Sequence, residues 1–159
     1  MVCRLCRASI DGDNRPGMKI TRATTDAARA ACFAVRRAVF IEEQQIPEAE
    51  EWDDHDATCT HYLAEDAVGP AGTARLIAKG DTAKIGRVAV MPTHRGTGLG
   101  RKIMETVMHD ARDAGFARAE LESQTYAIPF YERLGFVAEG AEYDDGSGIL
   151  HRVMRLDLD

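Results

Sequence analysis

Residues 87–104 read RVAVMPTHRGTGLGRKIM, and three glycines at alternate positions, Gly96, Gly98 and Gly100, stand directly before a helical pattern. A glycine inside a helix costs about 0.5–1 kcal/mol relative to alanine, so three at a helix start need a reason. Alternate glycines expose consecutive backbone N–H groups and let a bulky anion approach them. The helix N-terminus behind them adds about half a positive charge. Arg95, Arg101 and Lys102 flank the stretch. By physics alone this is a phosphate site.

Two familiar phosphate loops fail by inspection. A Walker A loop ends in Gly-Lys-Ser/Thr, whereas Gly100 is followed by Arg101, Lys102 and Ile103. The dinucleotide fingerprint needs G-x-G-x-x-G, and here Arg101 occupies the place of its last glycine. The stretch does contain R-x-x-G-x-G, over Arg95–Gly100.

Outward from the glycines, the pattern alternates between strands and helices. MKITRA (18–23) reads as a strand, and Thr24 or Thr25 caps a helix with apolar positions Ala28, Cys32, Val35 and Val39. That helix fades through VFIEEQ and stops before Pro47. THYLAED (60–66), GTARLIAK (72–79) and AKIGRVAVM (83–91) are three strands with turns at Gly69-Pro70 and Gly80-Asp81. The second long helix carries Leu99, Ile103, Val107, Ala111 and Ala114 on one face, and Gly115 stops it. ARAELES (117–123) is a strand, and IPFYERLG is a short helix with Pro129 in its first turn. FVAEGAEY (136–143) and ILHRVMRLDL (149–158) are strands joined by DDGSG. The order is mixed α/β without an internal repeat. Residues 1–17 read as an irregular extension, with Met18 a second candidate start, and 18–159 as a single domain.

Composition excludes several classes. The chain has 159 residues, 45% hydrophobic and 29% charged, the balance of a globular domain with a proper core. No apolar run approaches the ~20 residues of a membrane helix, and no signal peptide opens the chain, so a cytoplasmic protein is expected. Cys3-x-x-Cys6 resembles half of a zinc site, for which His55, Cys59 and His61 are the remaining candidate ligands, but the matching pair is absent and no metal is expected. Cys32 falls on the apolar helix face. Of 26 acidic residues, eight lie in EEQQIPEAEEWDDHD (42–56), leaving 18 against 20 basic ones elsewhere. With no basic stripe or aromatic platform, nucleic acid is not a partner. The acidic run reads either as a solvated loop or as an attractor of cationic substrates.

RVAVMPTHRGTGLGRKIM together with FYERLGF (130–136) resembles the GNAT acetyltransferase superfamily over residues 18–158, and VFIEEQ and THY resemble a bacterial subgroup of small orphan N-acetyltransferases. The resemblance implies a mostly antiparallel twisted sheet, splayed between its fourth and fifth strands and flanked by helices. It implies acetyl-CoA as co-substrate and a cationic amine as acceptor, in a monomer or homodimer. The pantetheine arm is then expected to pair with the backbone of Val88, Ala89 and Val90 as an added strand. The cradle of Arg95, Gly96, Thr97, Gly98, Leu99, Gly100 and Arg101 is expected to hold the pyrophosphate.

In the same resemblance Tyr131 lies near the coenzyme sulfur. A phenol of pKa about 10 is a competent acid for a departing thiolate of similar basicity; Phe130, Leu134 and Phe136 serve as core. The base that deprotonates the amine is open. Many superfamily members use a carboxylate on the fourth or fifth strand, but the fourth-strand positions here are Arg87 and Ala89. Glu122 and His61 stand ahead of Glu42, Glu43 and His151. A non-catalytic acyl-CoA-binding module is the alternative reading, and a nucleotide-phosphate binder of another family is disfavoured by the failed loop matches.

Overall fold

A computed structural model describes residues 17–158; the Cys3–Cys6 motif and the rest of the first 16 residues lie outside it. Seven strands form one sheet in the order β1-β2-β3-β4-β5-β7-β6. They are β1 (Lys19–Arg22), β2 (Thr60–Glu65), β3 (Pro70–Lys79), β4 (Thr82–Val90), β5 (Arg118–Gln124), β6 (Val137–Asp144) and β7 (Leu150–Asp157). All neighbours are antiparallel except β4 and β5. That parallel pair spans only Thr82↔Arg118, Ala83↔Ala119 and Lys84↔Glu120. Beyond Lys84 the two strands part.

Helix α3 (Leu99–Asp113) packs on one face of the sheet, where Leu99, Ile103, Met104, Val107, Met108 and Ala111 are buried. Gly72 of β3 permits this approach, since a Cβ there would lie 2.7 Å from Ile103 Cδ1. Helix α1 (Asp26–Arg36) covers the other face, its N-terminus capped by Thr25 Oγ1, which accepts from the Ala28 N–H at 3.1 Å. Cys32 is fully buried there, and burial pushes its thiol pKa up. Helix α4 (Ile128–Arg133) follows β5.

A β-bulge in β4 changes which way its side chains point. Thr73 pairs with Ala89 and Arg75 with Gly86, so Ala74 alone faces two residues, Arg87 and Val88. Simple alternation would send Ile85 and Val88 to opposite faces. With the extra residue, Ile85, Val88 and Val90 all join the core under α3, while Ala89 packs with Val35, Val39 and Phe40 on the α1 side. Bulges of this kind re-aim side chains beside functional sites.

The acidic run is not a loop. After α1 the chain continues as a π-helical turn (Arg37–Glu43), then α2 (Glu48–Glu51) and a 3-10 turn (Asp54–Ala57). Ile46 and Glu51 are buried within it.

Candidate active site

Backbone conformation explains the glycines. Gly96 and Gly98 take left-handed φ values of 76° and 84°, which cost a residue with a Cβ about 1–2 kcal/mol. Gly100 differs: it is buried in the first turn of α3. Gly98 caps α3 without a side-chain bond, and the first turn holds no acidic residue. The Lys102 N–H donates to the Gly98 carbonyl at 3.1 Å. The N–H groups of Leu99, Gly100 and Arg101 therefore precede the helical ladder. Arg101 and Lys102 crowd the positive end of the helix dipole, an arrangement unfavourable by about 0.3–1 kcal/mol per charge that an anion would relieve. Thr97 Oγ1 donates to the His94 carbonyl at 2.5 Å, and His94 Nε2 lies 2.8 Å from Asp66 Oδ2, which pins the loop on its outer side.

The end of the π-helical turn ties both lips of the β4–β5 gap. Glu43 holds the Arg95 guanidinium through both carboxylate oxygens, while Arg95 Nε donates to the Val90 carbonyl at 3.0 Å. Next to it Gln44 accepts from Gln124 Nε2 at 3.0 Å, at the end of β5. The Arg95 side chain, expected to meet the coenzyme phosphates, is thus committed to Glu43. Its N–H is directed at the Pro92 carbonyl, 3.4 Å away. Glu43 is correspondingly engaged by Arg95. Glu42 is exposed beside it, and its carbonyl accepts from Gln45 Nε2.

Arginines on the α1 side gather the acidic segment. Glu51, fully buried, accepts from Arg36 Nε at 2.8 Å. Asp56 accepts from Arg36 Nη1 at 2.7 Å and from Arg75 Nη1 at 2.9 Å, and Asp53 grips Arg75 through both oxygens at 2.8 and 2.7 Å. Arg87 donates to the Glu51 carbonyl at 2.9 Å and lies 3.3 Å from its carboxylate. Burial drives the Arg87 pKa below its usual value, against the pull of the Glu51 charge. Burial also works to raise Asp53, but the Arg75 bonds and charge prevail and hold it at about 2. Arg87 keeps φ at 51°, a left-handed conformation that costs a non-glycine residue about 1–3 kcal/mol and persists only where its surroundings over-determine it.

Between this network and β5 lies a cavity of about 260 Å³ whose lining includes Asp53, His55, Arg75, Lys79, Lys84, Arg87 and Glu122. It opens where β4 leaves β5. Glu122 lies 3.6 Å from Lys84 Nζ. Burial and the Glu122 charge push the Tyr143 hydroxyl above its usual range. His151, opposite Gln124, is buried and stacks on Tyr143 with centroids 6.1 Å apart. Its Nδ1 donates to the Ile149 carbonyl at 2.7 Å, since a carbonyl can only accept.

The expected site residues fall into three places. Val88, Ala89 and Val90 line the gap by their backbone, and the glycine cradle follows them. Glu122 lies in the cavity. Tyr131 is fully buried on α4, edge-on to Phe130 and Phe136 at 4.9 and 6.0 Å. His61 is set apart from these. It sits on β2, two strands from the gap, edge-on to Phe33, with Nε2 donating to the Asp56 carbonyl at 2.9 Å. Burial lowers its pKa.

Asp56, Cys59 and His61 bring a carboxylate, a thiol and an imidazole within 4.8 Å. The arrangement does not suit a cation. Arg36 and Arg75 already occupy the Asp56 carboxylate, and burial pushes the Cys59 thiol up to about 11. A zinc ligand must be the thiolate.

Sequence reasoning missed Arg36, Arg75 and the Gln44–Gln124 pair. A signal existed for the first two. Arg36 shares the helix face of Cys32 and Phe40, and Arg75 interrupts the apolar GTARLIA. A charge buried in such a pattern requires a carboxylate partner.

The family model for the GNAT acetyltransferase family matches residues 26–136. The chain belongs to the GNAT acetyltransferase family. The uncharacterized N-acetyltransferase YjcF of Bacillus subtilis is 34% identical over 141 residues, covering 88% of this chain and 100% of that protein. The uncharacterized protein YyaT of the same organism is 35% identical over 144 residues, covering 89% and 97%. An acyl-CoA N-acyltransferase structure from Pseudomonas aeruginosa superposes with a TM-score of 0.77 at 27% identity, covering 87% of this chain and 97% of that one. The splayed, mostly antiparallel sheet is the fold of this GNAT family. Acyl-CoA use and an amine acceptor follow from the family. No helix among the described residues is long and apolar enough to cross a membrane.

Proposed function

We propose that the chain is an acetyl-CoA-dependent N-acetyltransferase that passes the acetyl group directly to a primary amine of a small molecule or peptide. One observation carries this reading: the β4–β5 gap opens beside left-handed glycines at the α3 N-terminus. The β4 lip offers a strand edge that is not paired with β5 beyond Lys84, and the N–H groups that precede the α3 ladder follow it. When bound, the coenzyme supplies an activated acetyl thioester. The N–H groups from Gly96 to Arg101 hold its pyrophosphate, and the Val88, Ala89 and Val90 backbone takes the arm as an added strand. With Val88 and Val90 side chains turned into the core, only backbone faces that arm.

Glu122 accepts a proton from the ammonium, which frees the lone pair that forms the new C–N bond. Tyr131 gives its hydroxyl proton to sulfur as the C–S bond breaks, and the second proton shed by the acylated nitrogen restores the phenol. Thiol release across an amine panel tests the activity. Tyr131→Phe keeps the ring, so coenzyme affinity stays constant while the rate falls by roughly 10²–10⁴. Wild-type turnover in that variant would reduce Tyr131 to packing. Acetyl-CoA binding in calorimetry without thiol release from any amine would establish a binding module instead.

A further inference from the structure

We infer that the acceptor amine carries an acidic group of its own, a carboxylate or a phosphate, held by the cationic wall of the cavity beside the β4–β5 gap. The inference rests on the acetyltransferase reading for the placement of the acceptor, and on charge pairing for its chemistry. The cavity begins at Lys84, the last β4 residue paired with β5, and runs to Arg87 at the bulge. Acetyl transfer at the gap therefore leaves the acceptor this space, which suits a molecule of amino-acid size.

The wall has four cations, Arg75, Lys79, Lys84 and Arg87, against two carboxylates, Asp53 and Glu122. Asp53 is consumed by the two-pronged bond to Arg75. Glu51 and Asp56 lie behind the wall and are engaged by Arg36, Arg75 and Arg87. The three guanidiniums and three carboxylates of this network cancel. The acidic segment thus retains none of these charges to draw in a cation, contrary to the expectation from its composition. Glu122 remains for the ammonium, with Lys84 3.6 Å from it and Lys79 exposed at the rim. A purely cationic amine meets one carboxylate and repulsion from both lysines. An amine bearing an acid group meets Glu122 with one end and the lysines with the other, a pairing that discriminates by favouring one class and repelling the other.

The test compares matched acceptors: O-phosphoethanolamine against ethanolamine, and lysine against cadaverine. Calorimetry on the full chain with CoA present measures binding independently of turnover, and thiol release measures kcat/KM. In at least one pair the acidic member is expected to bind ten-fold or more tightly; which pair responds distinguishes phosphate from carboxylate. Lys79→Glu should raise the Kd of that acidic member at least ten-fold and lower that of the non-acidic member, whose repulsion it removes. Circular dichroism checks that the variant is folded. Equal or tighter binding of the non-acidic member in both pairs, no binding of either acidic member, or indifference to Lys79→Glu would overturn the inference. Absence of thiol release alongside selective binding would instead count against the acetyltransferase reading alone.

Discussion

The glycine loop and the acidic segment meet at the Arg95–Glu43 pair, yet they use opposite halves of the peptide chemistry. The loop works through its backbone: left-handed φ at Gly96 and Gly98, and N–H groups ahead of a helix. The segment works through side chains whose partners lie far along the chain: Glu51 is 15 residues from Arg36 and 36 from Arg87, and Glu43 is 52 from Arg95. A backbone requirement leaves its mark where it acts. A side-chain pairing is recorded at two distant places, and neither announces the other.

The largest effect that could break this contrast concerns stability. Glu51→Ala leaves Arg36 and Arg87 buried without their shared carboxylate, a loss of about 3–5 kcal/mol by the cost of an orphaned buried charge. Chemical denaturation measures it, with Glu50→Gln as the exposed neighbour expected within about 0.5 kcal/mol. Equal values for the two would return the segment to the status of a solvated run. The loop should respond in affinity instead. Gly98→Val places a branched side chain at a left-handed position, weakening acetyl-CoA binding at least ten-fold, about 1.4 kcal/mol, while the protein stays folded. Unchanged affinity in calorimetry would remove the cradle.

Acid sharpens the same contrast with a smaller effect. The Asp53 carboxyl, held at about 2 against an ordinary 3.8, is depressed in the folded state. Its contribution is fully present above the ordinary value and is lost as pH falls from about 4 towards 2. Because a third of the side chain is exposed, solvent screening reduces this contribution to about 1–2 kcal/mol. Asp53→Asn should flatten the stability profile in that window; an unaltered slope would show that Asp53 is not the group responsible.

The succession of strands along the chain and both long helices were legible because glycines, caps and apolar periods are local, whereas the splay followed only from the family resemblance and the place of β7 between β5 and β6 from neither. Thr25 capped the helix as its type and place dictate, and Gly115 ended α3. The VFIEEQ stretch was legible as a fading helix but not as a π-helical turn, since its delivery of Glu43 to the glycine loop and Gln44 to the end of β5 is not a local property. The place of His61 and the engagement of the acidic run were not legible for a common reason. Composition supplies a charge count, while burial beside Arg36 and Arg75 determines what those charges do.

Three residue pairs join the parallel strands, so the sheet is mechanically two plates on a short hinge. Beneath the hinge, on the α3 side, one continuous oily core holds Ile85 of the first plate and Leu121 of the second. Above it, the plates are fastened by an amide clasp, Gln44 with Gln124, and by the loose Lys84–Glu122 contact. Prising the plates apart therefore exchanges polar fastenings for water first and exposes grease only afterwards. The cleft has a soft side and a stiff side, and the soft one faces the polar cavity.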